Sequence, residues 1–131
     1  MTDALARKTY HTVTPYLIVA DVPRLLEFLA EAFGAAERIR LARPDGSVMH
    51  AEVAIGDSIV MMGEPKGNIS AMPASVYLRV DDADAAYRKA IEAGGTSVSE
   101  PTDQPHAGER YGGVKDPCGN LWWPAMSLNE G

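Results

Sequence analysis

The hexapeptide YLIVAD at residues 16–21 recurs 61 residues later as YLRVDD at residues 77–82, and this repetition decides the fold. Tyr, Leu, Val and the final Asp coincide, and the same offset carries Gly34 onto Gly95. In both copies aliphatic side chains alternate with other residues, as in a strand with one buried face. A segment that returns in this way marks a repeated supersecondary unit, so the chain is predicted to contain one unit twice.

Each copy predicts a strand, a helix and three further strands, which is βαβββ. Asp21 and Asp82 are the predicted helix N-caps, and the apolar stripes that follow them end at Gly34 and at the pair Gly94-Gly95. The remaining strands are predicted over residues 36–42, 48–55 and 58–62 in the first copy and over residues 96–99, 111–115 and 121–125 in the second. Residues 100–113 are predicted to form a long loop, whose length suggests a lid or a binding segment.

The whole chain, residues 1–131, is predicted to be one domain of the α+β class. Module one covers about residues 12–63, and module two covers about residues 75–126. The Pro-, Gly-, Asn- and Ser-rich residues 64–74 are predicted to be a connector. A single module would leave one face of its sheet bare, so the two are expected to pair.

Composition excludes several classes of function. The net charge of −6 argues against nucleic acid as a partner, because phosphate backbones attract clustered Lys and Arg. No stretch approaches the roughly 18 apolar residues of a membrane span, so no membrane association is predicted. The one cysteine, Cys118, cannot form an internal disulfide and is interpreted as a turn residue, which favours the reducing cytoplasm.

Two motifs carry a family resemblance: HAE at residues 50–52 on a predicted strand, and GGVKDPCGNLWW at residues 112–123. Together with the repeat, they resemble the vicinal oxygen chelate superfamily of glyoxalases, bleomycin resistance proteins and dioxygenases, and within it the PhnB-like branch. That branch carries an aromatic residue where Cys118 stands here. The resemblance covers roughly residues 13–126. It implies curved mixed sheets around a cleft, helices on the convex side, functional residues in the cleft, and a homodimer.

Metal-dependent members of this superfamily take ligands from the first and last strands of each module. The four equivalent positions here hold Thr14, Met61, Ser75 and Trp123. Hydroxyl, thioether and indole groups are poor donors for the divalent ions concerned, which prefer imidazole and carboxylate. We therefore predict no metal and no cofactor at this position, which argues against glyoxalase or ring-cleaving dioxygenase chemistry.

His50 and Glu52 lie two residues apart on one strand, so both side chains project to the same face. Three interpretations stay open at this stage. The pair could hold a metal together with His106 or Glu109, or it could act as acid and base as the candidate catalytic residues. Alternatively, the two side chains could simply satisfy each other or Arg79 by hydrogen bonding.

Strand alternation sends an aromatic and soft apolar set to the same side as His50 and Glu52, which is typical of a small-molecule pocket. Arg79 interrupts an otherwise apolar strand and could bind an anionic or planar ligand, or pair with Glu52. Trp122, on the opposite side from Trp123, is predicted to lie in the core. The predicted ligand-binding residues are Tyr16, His50, Glu52, Met61, Tyr77, Arg79, Arg110, Tyr111 and Trp123, of which Arg110 and Tyr111 come from the resemblance.

Three functional hypotheses follow. The first is metal-independent binding of a small organic molecule in the cleft. The alternative is a lyase or dioxygenase-type enzyme of the same superfamily that uses His50 and Glu52 as metal ligands or as acid and base. A third is a dimeric interaction module whose cleft is blocked by Met61 and Trp123.

Overall fold

The structure, a computed structural model, describes residues 10–130 of the chain. Module one contains β1 (Tyr16–Ile18), α1 (Val22–Phe33), β2 (Ala36–Ala42), β3 (Val48–Ile55) and β4 (Ser58–Gly63). Module two contains β5 (Ser75–Arg79), α2 (Ala83–Glu92), β6 (Thr96–Gln104), β7 (Glu109–Lys115) and β8 (Leu121–Ser127), and a 3₁₀ turn, Leu128–Glu130, follows. The predicted α+β fold of two βαβββ modules is confirmed.

The two sheets have the same topology. Their strand orders are β1-β4-β3-β2 and β5-β8-β7-β6. In each sheet the first strand lies parallel to the last, and the other pairs are antiparallel. Tyr16 lies beside Met61 in the first sheet, and Tyr77 lies beside Trp123 in the second. Neighbours of this kind project to the same face, so the repeat places matching side chains at matching positions.

Helix α1 begins and ends as its sequence predicts. The Asp21 carboxylate accepts a hydrogen bond from the Arg24 backbone N–H (3.1 Å), which satisfies one of the free donors of the first turn. Gly34 closes the helix with φ of +69°, a left-handed conformation that glycine adopts at little cost. The helix packs its apolar stripe on β2 and β3. Its buried residues are Val22, Leu25, Leu26, Phe28, Leu29 and Ala32.

Helix α2 packs on β6, β7 and β8, and its Asp82 cap accepts from the Ala85 backbone N–H (3.0 Å). Its C-terminus is held by the other module, because the Arg24 guanidinium donates to the Ala93 carbonyl (2.8 Å). A cation at this end also complements the helix dipole. No helix in the described part of the chain is long and apolar enough to cross a membrane.

One apolar core runs through both modules, on the helix side of the sheets. The Phe33 ring of α1 contacts the Trp122 ring of β8 at a centroid distance of 5.6 Å. Trp122 is fully buried, as predicted, together with Val114 of β7 and Met62 of β4. Burying side chains of this size contributes about 1.5–3 kcal/mol each, so the two modules stabilise one another.

The turn between β7 and β8 is built around Asp116, which is buried. Its carboxylate accepts from the backbone N–H groups of Cys118 (2.8 Å) and Asn120 (3.0 Å), from Asn120 Nδ2 (2.9 Å) and from Trp122 Nε1 (2.7 Å). Cys118 lies in this turn, with its Sγ 3.4 Å from the Asp21 carbonyl oxygen. Burial, followed by the charge of Asp116, raises the pKa of the Cys118 thiol, which is the opposite of what a nucleophile needs.

The predicted loop over residues 100–113 is wrong. β6 continues to Gln104, and its last three residues pair with β7, from Thr102 beside Tyr111 to Gln104 beside Glu109. A register shift after Ser99 absorbs Glu100 and Pro101, and proline is tolerated at such an irregularity of an edge strand. The true connection is only residues 105–108, so no long lid is formed there.

The connector runs along the outer edge of β1, where the Met72 N–H donates to the Ile18 carbonyl (2.9 Å). Its first residue, Glu64, joins two elements of module one. The Glu64 carboxylate accepts from the backbone N–H groups of Val22 (2.8 Å) and Val48 (2.7 Å). These contacts tie the start of α1 to the start of β3.

Candidate functional site

Each sheet has a second face, turned away from the helices, which we call its open face. Ala51 and Val53 of β3 point into the core, so His50 and Glu52 project from the open face of the first sheet. Tyr16 and Met61 lie on the same face. The structure thus brings together all four ligand-binding residues that were predicted for module one.

A hydrogen-bonded chain of four side chains crosses this face, and we call it the Glu52 relay: Tyr10, Glu52, His50 and Tyr16. The Tyr10 hydroxyl donates to Glu52 Oε1 (2.8 Å), and Glu52 Oε2 lies 2.7 Å from His50 Nε2. His50 Nδ1 in turn lies 3.1 Å from the Tyr16 hydroxyl. Glu52 is only 2% exposed, whereas Tyr16 is 47% exposed, so the relay runs from a buried carboxylate to an accessible phenol.

Tyr10 was missed because it precedes the first strand, where no alternation pattern assigns a face. Burial raises the pKa of its phenol, and so do the hydrogen bond to Glu52 and the negative charge of that carboxylate. Gly63 of β4 was missed as well. A Cβ atom there would stand 2.9 Å from the Tyr16 hydroxyl oxygen and 2.7 Å from the Met49 carbonyl oxygen, so glycine leaves the room in which the phenol lies.

The open face of the second sheet carries an ion pair and a phenol. Arg79 contacts Glu109 at 3.1 and 3.2 Å, and the Tyr77 hydroxyl donates to Glu109 Oε1 (2.8 Å). The hydrogen bond from Arg79, followed by that from Tyr77, lowers the pKa of Glu109. Burial, followed by the hydrogen bond to Glu109, raises the pKa of Tyr77 to about 12. Arg79 therefore pairs with Glu109 and not with Glu52, the partner considered from the sequence.

Three aromatic rings lie next to this ion pair, and we call them the aromatic cluster: Tyr77, Tyr111 and Trp123. Tyr111 lies between the other two, edge-on to both, at centroid distances of 5.9 Å from Tyr77 and 6.0 Å from Trp123. The Trp123 indole N–H donates to the Ser75 hydroxyl (2.8 Å). The indole lies against Gly113, where a Cβ would stand 2.6 Å from Trp123 Cζ3.

Arg110 is the predicted ligand-binding residue that joins neither open face. It follows Glu109 on β7, so its side chain projects to the helix side, where it pairs with Asp84 of α2 (3.1 Å) and Asp103 of β6 (2.9 Å). Both carboxylates raise the pKa of the Arg110 guanidinium. From the sequence, Glu109 was considered only as a metal ligand in a loop. In the structure it lies on the open face of the second sheet, beside Arg79.

The residues at the superfamily's metal positions do not fit a divalent ion. Ser75 is occupied by the Trp123 indole, Thr14 points its hydroxyl at the His11 carbonyl (3.4 Å), and Met61 offers a thioether. Within residues 10–130, no three or more His, Cys, Asp or Glu side chains are grouped to hold a metal. Both ring nitrogens of His50 and both oxygens of Glu52 have partners within the relay, so these two side chains are not arranged as open ligands.

A cavity of about 400 Å³ lies where the two modules meet. Module one contributes the residues before β1, including Thr14, and the start of β4, including Ile59. Module two contributes Tyr77 and Arg79 of β5. One wall from each module lines this space, and two of the predicted ligand-binding residues reach it.

Comparisons with known proteins agree with this architecture. Residues 9–123 match the family model of the Glyoxalase/Bleomycin resistance protein/Dioxygenase superfamily. The chain is 32% identical over 139 residues to Uncharacterized protein Rv0887c of Mycobacterium tuberculosis, an alignment that covers 98% of this chain and 81% of that protein. The PhnB-like branch stays a prediction.

Solved structures share the fold. TioX from Micromonospora sp. ML1 superposes with a TM-score of 0.74 at 25% identity, covering 90% of this chain and 99% of TioX. TnmS3, an antibiotic binding protein from Streptomyces sp. CB03234, superposes with a TM-score of 0.71 at 21% identity, covering 89% of this chain and 95% of TnmS3. With the sequence match over most of its length, the chain belongs to the Glyoxalase/Bleomycin resistance protein/Dioxygenase superfamily.

Proposed function

We propose that this protein binds a small organic molecule with a planar aromatic portion, on the open faces of its sheets and without a metal ion. The observation that carries the proposal is the aromatic cluster. Tyr111 stands edge-on between Tyr77 and Trp123, and Tyr77 is 51% exposed although it is a large aromatic residue in a strand. Exposed aromatic surface with a few polar groups is what small-molecule sites offer.

The polar groups beside the aromatic cluster can hold a bound molecule in one orientation. The Arg79 side chain is 60% exposed and is paired with Glu109. A guanidinium held in this way can stack on a planar ring or meet an anionic substituent. The open face of module two therefore supports both stacking and charge recognition.

Metal independence is supported by the chemistry of the donor positions. A hydroxyl, a thioether and an indole stand where the superfamily's metal enzymes place imidazole and carboxylate, and the indole is already bound to Ser75. Binding is then expected to depend on shape, stacking and hydrogen bonds. We further expect a homodimer in the cytoplasm, as the resemblance and the single cysteine suggest.

TnmS3 supports the proposal at the level of the fold. That protein is an antibiotic binding protein, and its backbone follows the present one over most of both chains. A shared fold does not transfer a function, but it indicates that this framework can hold a small organic molecule. The ligand class for the present chain has to come from its own side chains.

The binding proposal can be tested with 2-methoxynaphthalene as the probe, on protein dialysed against EDTA. Isothermal titration is expected to show saturable binding that zinc or iron does not strengthen. Trp123→Ala removes one ring of the cluster and is expected to weaken binding up to about tenfold, since an aromatic contact is worth roughly 0.5–1.5 kcal/mol. Arg110→Ala, on the other side of the same sheet, is the matched control and is expected to bind like the native protein.

Equal binding by Trp123→Ala and the native protein would overturn the site, and binding only after a metal is added would overturn metal independence. A probe that does not bind the native protein at all would overturn the aromatic ligand class. Each of these results is read from the same titrations.

An acid–base enzyme is the second candidate, favoured by the 2.7 Å contact between His50 and Glu52 with the Tyr16 phenol beyond it. A carboxylate that orients an imidazole is the arrangement of a general base. Proton exchange at the methyl ketone of 2-acetylnaphthalene in D₂O, followed by NMR, tests it. Exchange that disappears in Glu52→Gln with binding retained would favour the enzyme, and exchange no faster than in buffer would leave binding as the function.

A further inference from the structure

We propose that the cavity between the modules binds a peptide-like unit, so that the ligand class is an aromatic compound joined to an acylated amino acid. This inference rests on the proposed function and extends the same site, because Tyr77 belongs both to the aromatic cluster and to the wall of the cavity. It follows from the outer edge of β5, where no strand within residues 10–130 pairs with the main chain.

The cavity lies along the edge of β5 and not on one of its faces. Its lining includes four consecutive residues of this strand: Val76, Tyr77, Leu78 and Arg79. Successive side chains of a strand point to opposite faces, so residues in a row can line one space only at the edge of the strand. Because β8 occupies one edge of β5, the cavity lies at the other, across from Thr14 and Ile59 of module one.

The main chain of β5 alternates in direction. In a parallel pair, alternate residues direct both their N–H and their C=O toward the neighbouring strand. The Ala74 carbonyl accepts from the Leu121 N–H (2.8 Å), and the Val80 N–H donates to the Ala125 carbonyl (2.8 Å). The even-numbered residues therefore bond to β8, whereas the N–H and C=O of Tyr77 point to the outer edge.

This edge is open in module two, whereas its counterpart in module one is covered. There the Met72 N–H of the connector donates to the Ile18 carbonyl at the outer edge of β1 (2.9 Å). β5 is the end strand of its sheet, and within residues 10–130 no turn or loop makes a backbone hydrogen bond to Tyr77. An edge of this kind binds extended molecules by exchanging main-chain hydrogen bonds with them.

The two main-chain groups of Tyr77 define what fits. They are matched by an N–H and a C=O on either side of one carbon, which is the spacing within one amino acid unit. A single amide does not match them, because its N–H and C=O point in opposite directions. The volume of about 400 Å³ suits a small molecule and not a second protein chain. The aromatic part of the ligand then lies on the aromatic cluster, which Tyr77 joins to the cavity.

The first test follows the Tyr77 amide by hydrogen exchange and NMR. In the free protein, the Tyr77 N–H is expected to exchange roughly tenfold faster than the N–H groups of Val76 and Leu78, which bond to β8. Saturation with N-(2-naphthoyl)glycine methylamide is expected to slow the exchange of Tyr77 roughly tenfold. A Tyr77 N–H that is already protected in the free protein, or that stays unprotected at saturation, would overturn the inference.

The second test uses titration calorimetry to compare this glycine probe with its ester analogue, in which oxygen replaces the glycine N–H. The native protein is expected to bind the glycine probe roughly fivefold more tightly, the value of one hydrogen bond in a partly exposed site.

The third test compares Tyr77→Pro with Tyr77→Ala, its matched control. Both variants lack the ring, and only proline lacks the N–H, so Tyr77→Pro is expected to bind the glycine probe roughly fivefold more weakly than Tyr77→Ala. The two variants are expected to bind 2-methoxynaphthalene alike. Proline is tolerated in an edge strand where the N–H faces outward, and circular dichroism checks that the fold is kept.

Equal binding of the glycine probe and its ester by the native protein, or equal binding of the glycine probe by the two variants, contradicts the inference. If 2-methoxynaphthalene still binds, the proposed function stands. Failure of all three probes to bind the native protein overturns the proposed function. Should Tyr77→Pro not fold, the exchange and ester measurements on the native protein decide.

Discussion

The two open faces are built on the same framework and do different chemistry. At the 61-residue offset, Tyr77 corresponds to Tyr16, Tyr111 to His50, and Gly113 to Glu52. In the first sheet the carboxylate of Glu52 organises a polar relay. In the second sheet the missing side chain at Gly113 leaves room for the Trp123 indole. Two matching positions thus differ in kind: His50 and Glu52 make the first face polar, while Tyr111 and Gly113 make the second face aromatic.

The two sheets also differ at the end of their first strands, β1 and β5, and at the start of β3 and β7. Ile18 corresponds to Arg79, and Val48 corresponds to Glu109, so only module two carries the ion pair. Module one therefore carries a hydrogen-bonded relay on its open face, while module two carries aromatic rings and an ion pair.

The largest expected effect on stability concerns the turns before β4 and β8, the last strands of the two modules. Asp116→Ala removes the acceptor of four hydrogen bonds and leaves buried donors unpaired, which is expected to lower the free energy of unfolding by about 3 kcal/mol or more. Asp57 lies in the matching turn, is exposed and accepts from the hydroxyl of Ser58, its one side-chain hydrogen bond within residues 10–130, so Asp57→Ala is expected to cost about 0.5 kcal/mol or less. Urea denaturation measures both, and equal losses would contradict the role of Asp116.

The next largest effect on stability is expected from substitutions of Gly63 and Gly113, the glycines beneath the two open faces. A Cβ at Gly63 meets a backbone carbonyl, that of Met49, at 2.7 Å, so Gly63→Ala is expected to cost roughly 1–3 kcal/mol in the free energy of unfolding. The three atoms nearest to a Cβ at Gly113 all belong to the Trp123 ring, so Gly113→Ala is expected to move the indole and shift its fluorescence with a smaller loss of stability. A larger loss at Gly113 would contradict this ordering.

A spectroscopic titration of the tyrosines tests the contact between Tyr77 and Glu109 in module two. Tyr77 is expected to ionise at about pH 12, first because its half-covered phenol is partly desolvated and second because it donates a hydrogen bond to Glu109. Its folded pKa lies above the ordinary value, so the stability that it contributes is complete below pH 10 and is lost as the pH rises toward 12. In Glu109→Gln the pKa of Tyr77 is expected to fall part of the way back, as followed by absorbance near 295 nm. No change would mean that burial alone is responsible.

The smallest effect comes from making module two resemble module one. Arg79→Ile introduces the residue found at the matching position and removes an ion pair in which Arg79 is 60% and Glu109 13% exposed, so the free energy of unfolding at neutral pH is expected to fall by about 1 kcal/mol or less. The pKa of Glu109 is lowered mainly by Arg79, so the stability due to this pair is present above the carboxyl's ordinary pKa and is lost as the pH falls below it. The native and variant curves should therefore converge in acid, and a gap that widens there would contradict this cause.

The sequence predicted the modules and most of both open faces because alternation is regular where β1, β3 and β5 begin. It failed at β6, where Pro101 and a register shift interrupt the pattern. That error hid the strand in which Glu109 and Arg110 point to opposite faces, so only the family resemblance spoke for Arg110 as a ligand-binding residue, and no strand pattern placed Glu109 on the open face. Tyr10 could not be found either, because its contact with Glu52 joins residues 42 positions apart with no strand pattern to link them.

The contact of Phe33 with Trp122, and of Arg24 with the end of α2, means that each half supplies part of what completes the other. The two modules are therefore expected to unfold together. A calorimetric melt should therefore show a single endotherm, and a lesion in one half should shift the transition of both.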